Sequence, residues 1–122
     1  MINTATPQDT FDHMIGSGAL SYEWWHAVDV NGVKANGYDA EDDWSAVISA
    51  DNGDGGEATV TINHAAVLKA ARAVIAKPPR FASDALVREC RHLVFNADET
   101  DFDANSADEL LQIMVLGEIV FG

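Results

Sequence analysis

Basic residues are scarce in this 122-residue chain: seven Lys and Arg stand against twenty Asp and Glu, a net charge of −13. That argues against a generic nucleic-acid binder, because the phosphate backbone is repelled overall. Cysteine is scarcer still. Cys90 stands alone, which excludes a disulfide scaffold and fits a reducing compartment. No apolar run reaches the roughly 18 residues of a membrane span. The opening stretch Met1-Ile2-Asn3-Thr4-Ala5-Thr6 lacks the basic start and apolar centre of a secretory signal, so the expected location is the cytoplasm, away from membranes. Catalytic signatures are missing as well. There is no nucleophile elbow, zincin motif, P-loop or dinucleotide fingerprint, and His13, His26, His64 and His92 are scattered. The chain reads as non-catalytic, with no cofactor and no metal.

What is present is an ordinary globular composition. The apolar share is 48%, enough to keep so acidic a chain out of the disordered class. The length suits one domain over residues 1–122, with a folded radius of gyration of about 14 Å. Such a chain buries roughly two thirds of its unfolded surface and needs no staples.

The periodicities predict the elements. Thr6 is an N-cap, Pro7 suits the first helical position and Asp9 faces the positive helix end, so a first helix opens there and stops at Gly16-Ser17-Gly18. A strand is expected from about Trp25, with turns at Asn31-Gly32 and Asn36-Gly37. Trp44, Ala46, Ile48 and Ala50 alternate with polar or smaller neighbours, as do Ala58, Val60 and Ile62. With turn residues filling Asp51–Gly56, these two strands read as a β-hairpin. The period then changes from two to 3.6. A second helix starts at Asn63 or His64, carries Val67, Ala71, Val74 and Ile75 on one stripe, and ends near Lys77 before Pro78-Pro79. Ser83 caps a third, with Leu86, Val87, Cys90, Leu93 and Val94 on its apolar face. After an acidic loop over 96–105, Ser106 and Glu109 form a capping box for a fourth helix reaching Phe121. Strands followed by helices argue an α+β fold: an antiparallel sheet with a central hairpin and about four helices on one face. The last helix, apolar all round, should be buried either at the centre of the domain or against a second copy in a homodimer.

Charge is unevenly distributed. Residues 64–92 hold Lys69, Arg72, Lys77, Arg80, Arg88 and Arg91 against two acids, net +4, while residues 1–63 carry −10 and residues 93–122 carry −7. These cations either relieve the acids within the molecule or form a separate basic face.

The candidate binding residues are acidic. Asp39, Glu41, Asp42 and Asp43 form one cluster, Asp51, Asp54 and Glu57 a second, and Asp98, Glu99, Asp101 and Asp103 a third. Duplex DNA carries one charge per about 1.7 Å of axis, and a carboxylate surface of comparable density is able to occupy a DNA-binding groove. The plain alternative is a solubilising surface. Asp101-x-Asp103-x-Asn105 copies the first half of a calcium loop, but Ser106 replaces the required Gly and Gln112 the bidentate Glu. Cys90 and His92 lie about 200° apart on a helix, a poor pair of zinc ligands, and Cys90 sits on the core stripe. Adjacent Trp24 and Trp25 should point to different sides. One is expected in the core and the other, with Trp25 the candidate, at a rim as a binding anchor, unless the first helix covers both.

Gly16-Ser17-Gly18-Ala19-Leu20-Ser21-Tyr22 with Trp24-Trp25, Ser83-Asp84-Ala85 through Arg88-Glu89-Cys90, and Asn96-Ala97-Asp98-Glu99 together resemble small acidic proteins of actinobacterial genomes, phages and plasmids. The resemblance carries no activity. It implies a bacterial cytosolic setting and a mobile element, some of whose small acidic proteins block host nucleic-acid machinery.

Three expectations follow. The first is an acidic, non-catalytic protein in the basic groove of a nucleic-acid-acting partner, through Asp39, Glu41, Asp42, Asp43, Asp98, Glu99, Asp101, Asp103 and Trp25, with no direct contact to nucleic acid. The second is a structural or accessory homo-oligomer assembled through the last helix. The third is a small enzyme or ligand binder built on His26, His64 or Arg72.

Overall fold

The computed structural model describes residues 4–122. Helix α1 spans Pro7–Met14 and opens as the sequence predicts. Thr6 accepts from the Asp9 N–H, and the Asp9 carboxylate accepts from the Thr6 N–H, a reciprocal capping box. Three strands follow, β1 (Trp25–Val33), β2 (Ala40–Asp51) and β3 (Glu57–Asn63). They form an antiparallel sheet in the order β1-β2-β3. Helices α2 (His64–Ala76), α3 (Asp84–Phe95) and α4 (Ala104–Leu116) complete the α+β fold.

The alternation in β2 sets which side of the sheet is covered. Trp44, Ala46, Ile48 and Ala50 are fully buried under α1, α2 and α4, while Ser45, Val47, Ser49 and Asp51 point to the other side. The register places Asn31, Ser45 and Asn63 in one row of that outer face and Asp29, Val47 and Thr61 in the next. The face is small and polar, and among the described residues no helix lies on it.

One predicted turn is corrected. Asn31-Gly32 lies within β1, where the pairing slips between Asn31 and Val33. Gly32 has φ of +78°, and a Cβ there would stand 2.8 Å from the Trp44 Cα. Close approach of two strand backbones at a bulge produces the same Asn-Gly signal as a turn. The chain reverses at Asn36-Gly37, closed by the Lys34 N–H donating to the Asp39 carbonyl (2.8 Å).

The helical layer follows the predicted stripes, with Val67, Ala71 and Val74 of α2 and Leu86, Cys90 and Leu93 of α3 all buried. Asn63 and Ser83 cap their helices as expected, accepting from the N–H groups of Ala66 and Leu86. At α4 both predicted ends are corrected. Its N-cap is Asp103, whose carboxylate accepts from the Ser106 N–H (2.7 Å), so Ser106 is already inside the helix. Glu109 does not close a box with Ser106. Its two oxygens accept from the N–H and hydroxyl of Ser83, at the start of α3. The helix stops at Leu116, because Gly117 takes a left-handed conformation (φ +82°) and turns the chain back. Ile119, Val120 and Phe121 continue the apolar pattern without continuing the helix.

Helix α4 is the central helix of the layer. It packs against α1, α2, α3, β2 and β3, which bury Leu110, Leu111 and Val115, while Ile113, Met114 and Leu116 are partly buried. Among the described residues no helix is long and apolar enough to cross a membrane.

Candidate functional site

The eight carboxylates at positions 39, 41–43, 98, 99, 101 and 103 fall in two stretches of the chain. Asp39 ends the β1–β2 turn, and Glu41, Asp42 and Asp43 occupy the start of β2. Asp98 and Glu99 lie on a short 3-10 turn (Ala97–Glu99), Asp101 follows it, and Asp103 caps α4. All eight are exposed, and among the described residues none has a basic side chain within 4 Å. The ion pairs that do form involve Glu57 with His26 and Glu89 with Arg88 and His92. The basic helices therefore leave the acidic clusters without direct partners, although Arg88 is close enough to Asp101 and Asp103 to feel both.

Helix α1 connects the two clusters, a link the sequence did not reveal. On one side the Gln8 amide donates to the Tyr38 carbonyl (2.8 Å) and its oxygen accepts from the Ala40 N–H (2.7 Å), fastening α1 to the turn that carries Asp39. On the other side the His13 ring meets Phe102, centroids 5.6 Å apart, beside Asp101 and Asp103. Asp9 and Asp12 of α1 thus stand between the clusters. The carboxylates that surround His13 and His64 reflect the same proximity. Burial pulls His13 below its usual value, opposed by Asp9, Asp12, Asp101 and Glu89. Burial likewise lowers His64, opposed by Asp9 and Asp42, while Arg72 adds to the lowering. The second acidic cluster lies at the far end of β2. There Asp51 accepts from the Gly53 N–H, and Glu57 pairs with His26 at 2.9 Å.

A pH dependence follows. Both imidazoles titrate lower in the folded chain than in the unfolded one, so the unfolded chain takes up protons first. Their contribution is complete above about 6.5 and is lost as pH falls below it. Urea unfolding should show a lower midpoint at about pH 5.5 than at about pH 7.5, and the His13→Gln/His64→Gln double variant should flatten this difference.

Of the residues named as alternatives for a small-molecule site, His26 stands apart from His64. His26 and Glu57 lie on the outer sheet face at one end of β3, and His64 follows its other end, a strand length of about 20 Å away. His64 Nδ1 lies 2.9 Å from Thr10 Oγ1, whose own proton goes to the Pro7 carbonyl. Cys90 is buried on the α3 stripe. Burial, with Glu89 and Glu109 adding to it, pushes its thiol up to about 12, far from a nucleophilic thiolate. Among the described residues no three His, Cys, Asp or Glu side chains gather as metal ligands. Asp103 spends its carboxylate on Ser106, whose N–H and hydroxyl hold it below the usual carboxylate range.

Trp25 is corrected as a binding anchor. It is 7% exposed and presents no rim. Nor do the adjacent indoles point apart: Nε1 of Trp24 and of Trp25 both donate to Asp108 Oδ1 at 2.8 Å. Side-chain alternation applies within a strand, and Trp24 belongs to the turn before β1. Asp108 Oδ2 accepts from Gln112 Nε2 (2.7 Å), and Gln112 Oε1 accepts from the N–H groups of Val120 and Phe121. The C-terminal segment is held so that Phe121 stacks on Trp24 (5.3 Å, 9°), and Trp24 stacks on Tyr22 (4.9 Å, 11°). Sequence reasoning missed this network, whose signal was two polar residues four apart inside an apolar helix.

Comparison with protein-family models, curated proteins and solved structures returns no match to this chain.

Proposed function

We propose that this protein is a non-catalytic acidic binding protein that occupies a basic, nucleic-acid-binding groove of a partner, as a DNA mimic does. The observation that supports the reading is the exposure of Asp39, Glu41, Asp42, Asp43, Asp98, Glu99, Asp101 and Asp103 without basic partners, with Asp9 and Asp12 of α1 between the two groups. Carboxylates without a basic partner in the folded chain are available to a basic surface, and their summed field speeds encounter with it. On this reading the partner is a bacterial nucleic-acid-acting protein in the cytoplasm, and acidity has a role beyond solubility.

The test is an affinity pull-down from a bacterial lysate, eluted with duplex DNA and identified by mass spectrometry, then repeated with the purified partner. Binding should fall steeply between about 0.1 and about 0.5 M salt. Asp42→Lys/Asp43→Lys and Asp98→Lys/Glu99→Lys should each weaken it at least about tenfold, while leaving stability within about 0.5 kcal/mol, because all four side chains are exposed. Binding that resists both salt and charge reversal would sink the reading.

A further inference from the structure

A cavity of about 450 Å³ opens between α4, the turn before α3 and the C-terminal segment, and its walls include Phe81, Asp108, Glu109, Val120 and Phe121. The volume suits a small organic group. Two features of the wall belong together. Asp108 is 3% exposed, and its hydrogen bonds come from two indoles and an amide. Glu109 accepts from the Ser83 N–H and hydroxyl. Among the described residues neither carboxylate has a basic side chain within 4 Å. A carboxylate offers about four acceptor positions, so both retain capacity after these neutral donors are counted. Beside them stand aromatic rings. Phe81 is 69% exposed, and it is the one non-glycine residue among those described with positive φ (+70°). A bulky side chain in that region is strained, and a strained backbone that presents its ring to solvent at a cavity wall marks a position kept for contact. The ring already accepts a cation on its surface, with the Arg80 guanidinium 4.7 Å from its centroid.

We propose that this cavity binds a cationic group, an ammonium or guanidinium on a short apolar stem, between the Asp108 and Glu109 carboxylates and the rings of Phe81 and Phe121. The charge meets carboxylates that have no counter-ion among the described residues, the π-faces add attraction, and Val120 covers the stem. The site uses none of the acidic residues assigned to the DNA-mimic surface. The cation comes either as a free small amine or as an arginine side chain of a partner protein.

Titrations followed by the indole N–H resonances of Trp24 and Trp25, both bonded to Asp108, test this directly. The probes are n-butylguanidinium, n-butylammonium, a blocked Gly-Gly-Arg-Gly-Gly peptide and neutral n-pentanol. At least one cationic probe should shift both indoles saturably, in the millimolar range or tighter, and n-pentanol at least about tenfold more weakly. Phe81→Gly should weaken the cationic probe roughly fivefold, and glycine adopts the φ of this position without strain. Equal effects of n-pentanol and the cations, no saturation by any cation, or undiminished binding to Phe81→Gly would each overturn the proposal. Binding of the peptide as well as the free cations assigns the ligand to a partner's side chain. Binding of the free cations alone assigns it to a small amine. Asp42→Lys/Asp43→Lys should leave these shifts unchanged, so failure here and failure of the DNA-mimic reading are separable.

Discussion

Asp108→Ala should lower the unfolding free energy by about 3 kcal/mol, the largest loss expected from any polar side chain in the protein. The carboxylate is the shared acceptor of Trp24 Nε1, Trp25 Nε1 and Gln112 Nε2. Truncation strands three donors, and Trp25, only 7% exposed, is largely shielded from water as a replacement. Each unmet buried donor costs about 1–3 kcal/mol, and relief from burying a charge offsets part of the sum. Asp108→Asn should cost less, about 1–2 kcal/mol, because its carbonyl still accepts from the indoles while its amide faces the Gln112 amide. Gln112→Leu separates the two halves of the network: the indoles keep Asp108, but the Val120 and Phe121 N–H groups lose their acceptor. In that variant the C-terminal segment should become cleavable by protease while the sheet and helices persist. Urea unfolding followed by tryptophan fluorescence decides the first two. An Asp108→Ala protein within 1 kcal/mol of the parent would mean that the indoles find other acceptors.

Trp44→Ala should cost about 3–5 kcal/mol, the range for removing a large aromatic from a packed core. Trp44 is fully buried, meets Phe11 edge-on (5.6 Å, 77°) and donates through Nε1 to the Pro7 carbonyl at 2.8 Å. With the Gln8 bonds to the β1–β2 turn, it seats α1 on the sheet. Against a typical total of about 5–15 kcal/mol, the melting temperature should drop by about 10–20 °C. Trp44→Phe retains most of the volume and loses the indole bond, so about 1–2 kcal/mol is expected. The functional consequence runs through α1. Loosening it removes Asp9 and Asp12 from between the acidic clusters, so Trp44→Ala should weaken binding to a basic partner even at temperatures where the protein remains folded. A variant that melts near the parent would show that Phe11 and the Gln8 bonds hold the helix.

The acidic surface was half legible in the sequence. Runs such as Glu41-Asp42-Asp43 declare themselves by composition, and exposure follows because carboxylates seldom bury without partners. That two runs about sixty positions apart share a helix between them is visible only in the folded chain, through Gln8 reaching the β1–β2 turn and His13 meeting Phe102. The cavity was not legible at all. Its walls come from the turn before α3, from α4 and from the C-terminal segment, and the sequence pattern continued that last piece as helix because Ile119, Val120 and Phe121 keep the apolar spacing.

What the sequence by itself determined was local. The caps at Thr6, Asn63 and Ser83, the two-residue alternation of β2 and β3, the change of period after Asn63 and the stripes of α2 and α3 rest on interactions within a few residues, so the pattern and the structure agree. What tertiary structure decided was the use of polar groups with more than one available partner. Glu109 had a local partner in Ser106 and a distant one in Ser83, 26 residues earlier, and packing of α4 beside α3 chose the distant one. Asp108 joins indoles 83 and 84 residues away for the same reason. A polar side chain carried into the interior must find donors among whatever the core brings near it, and sequence spacing does not record which those are.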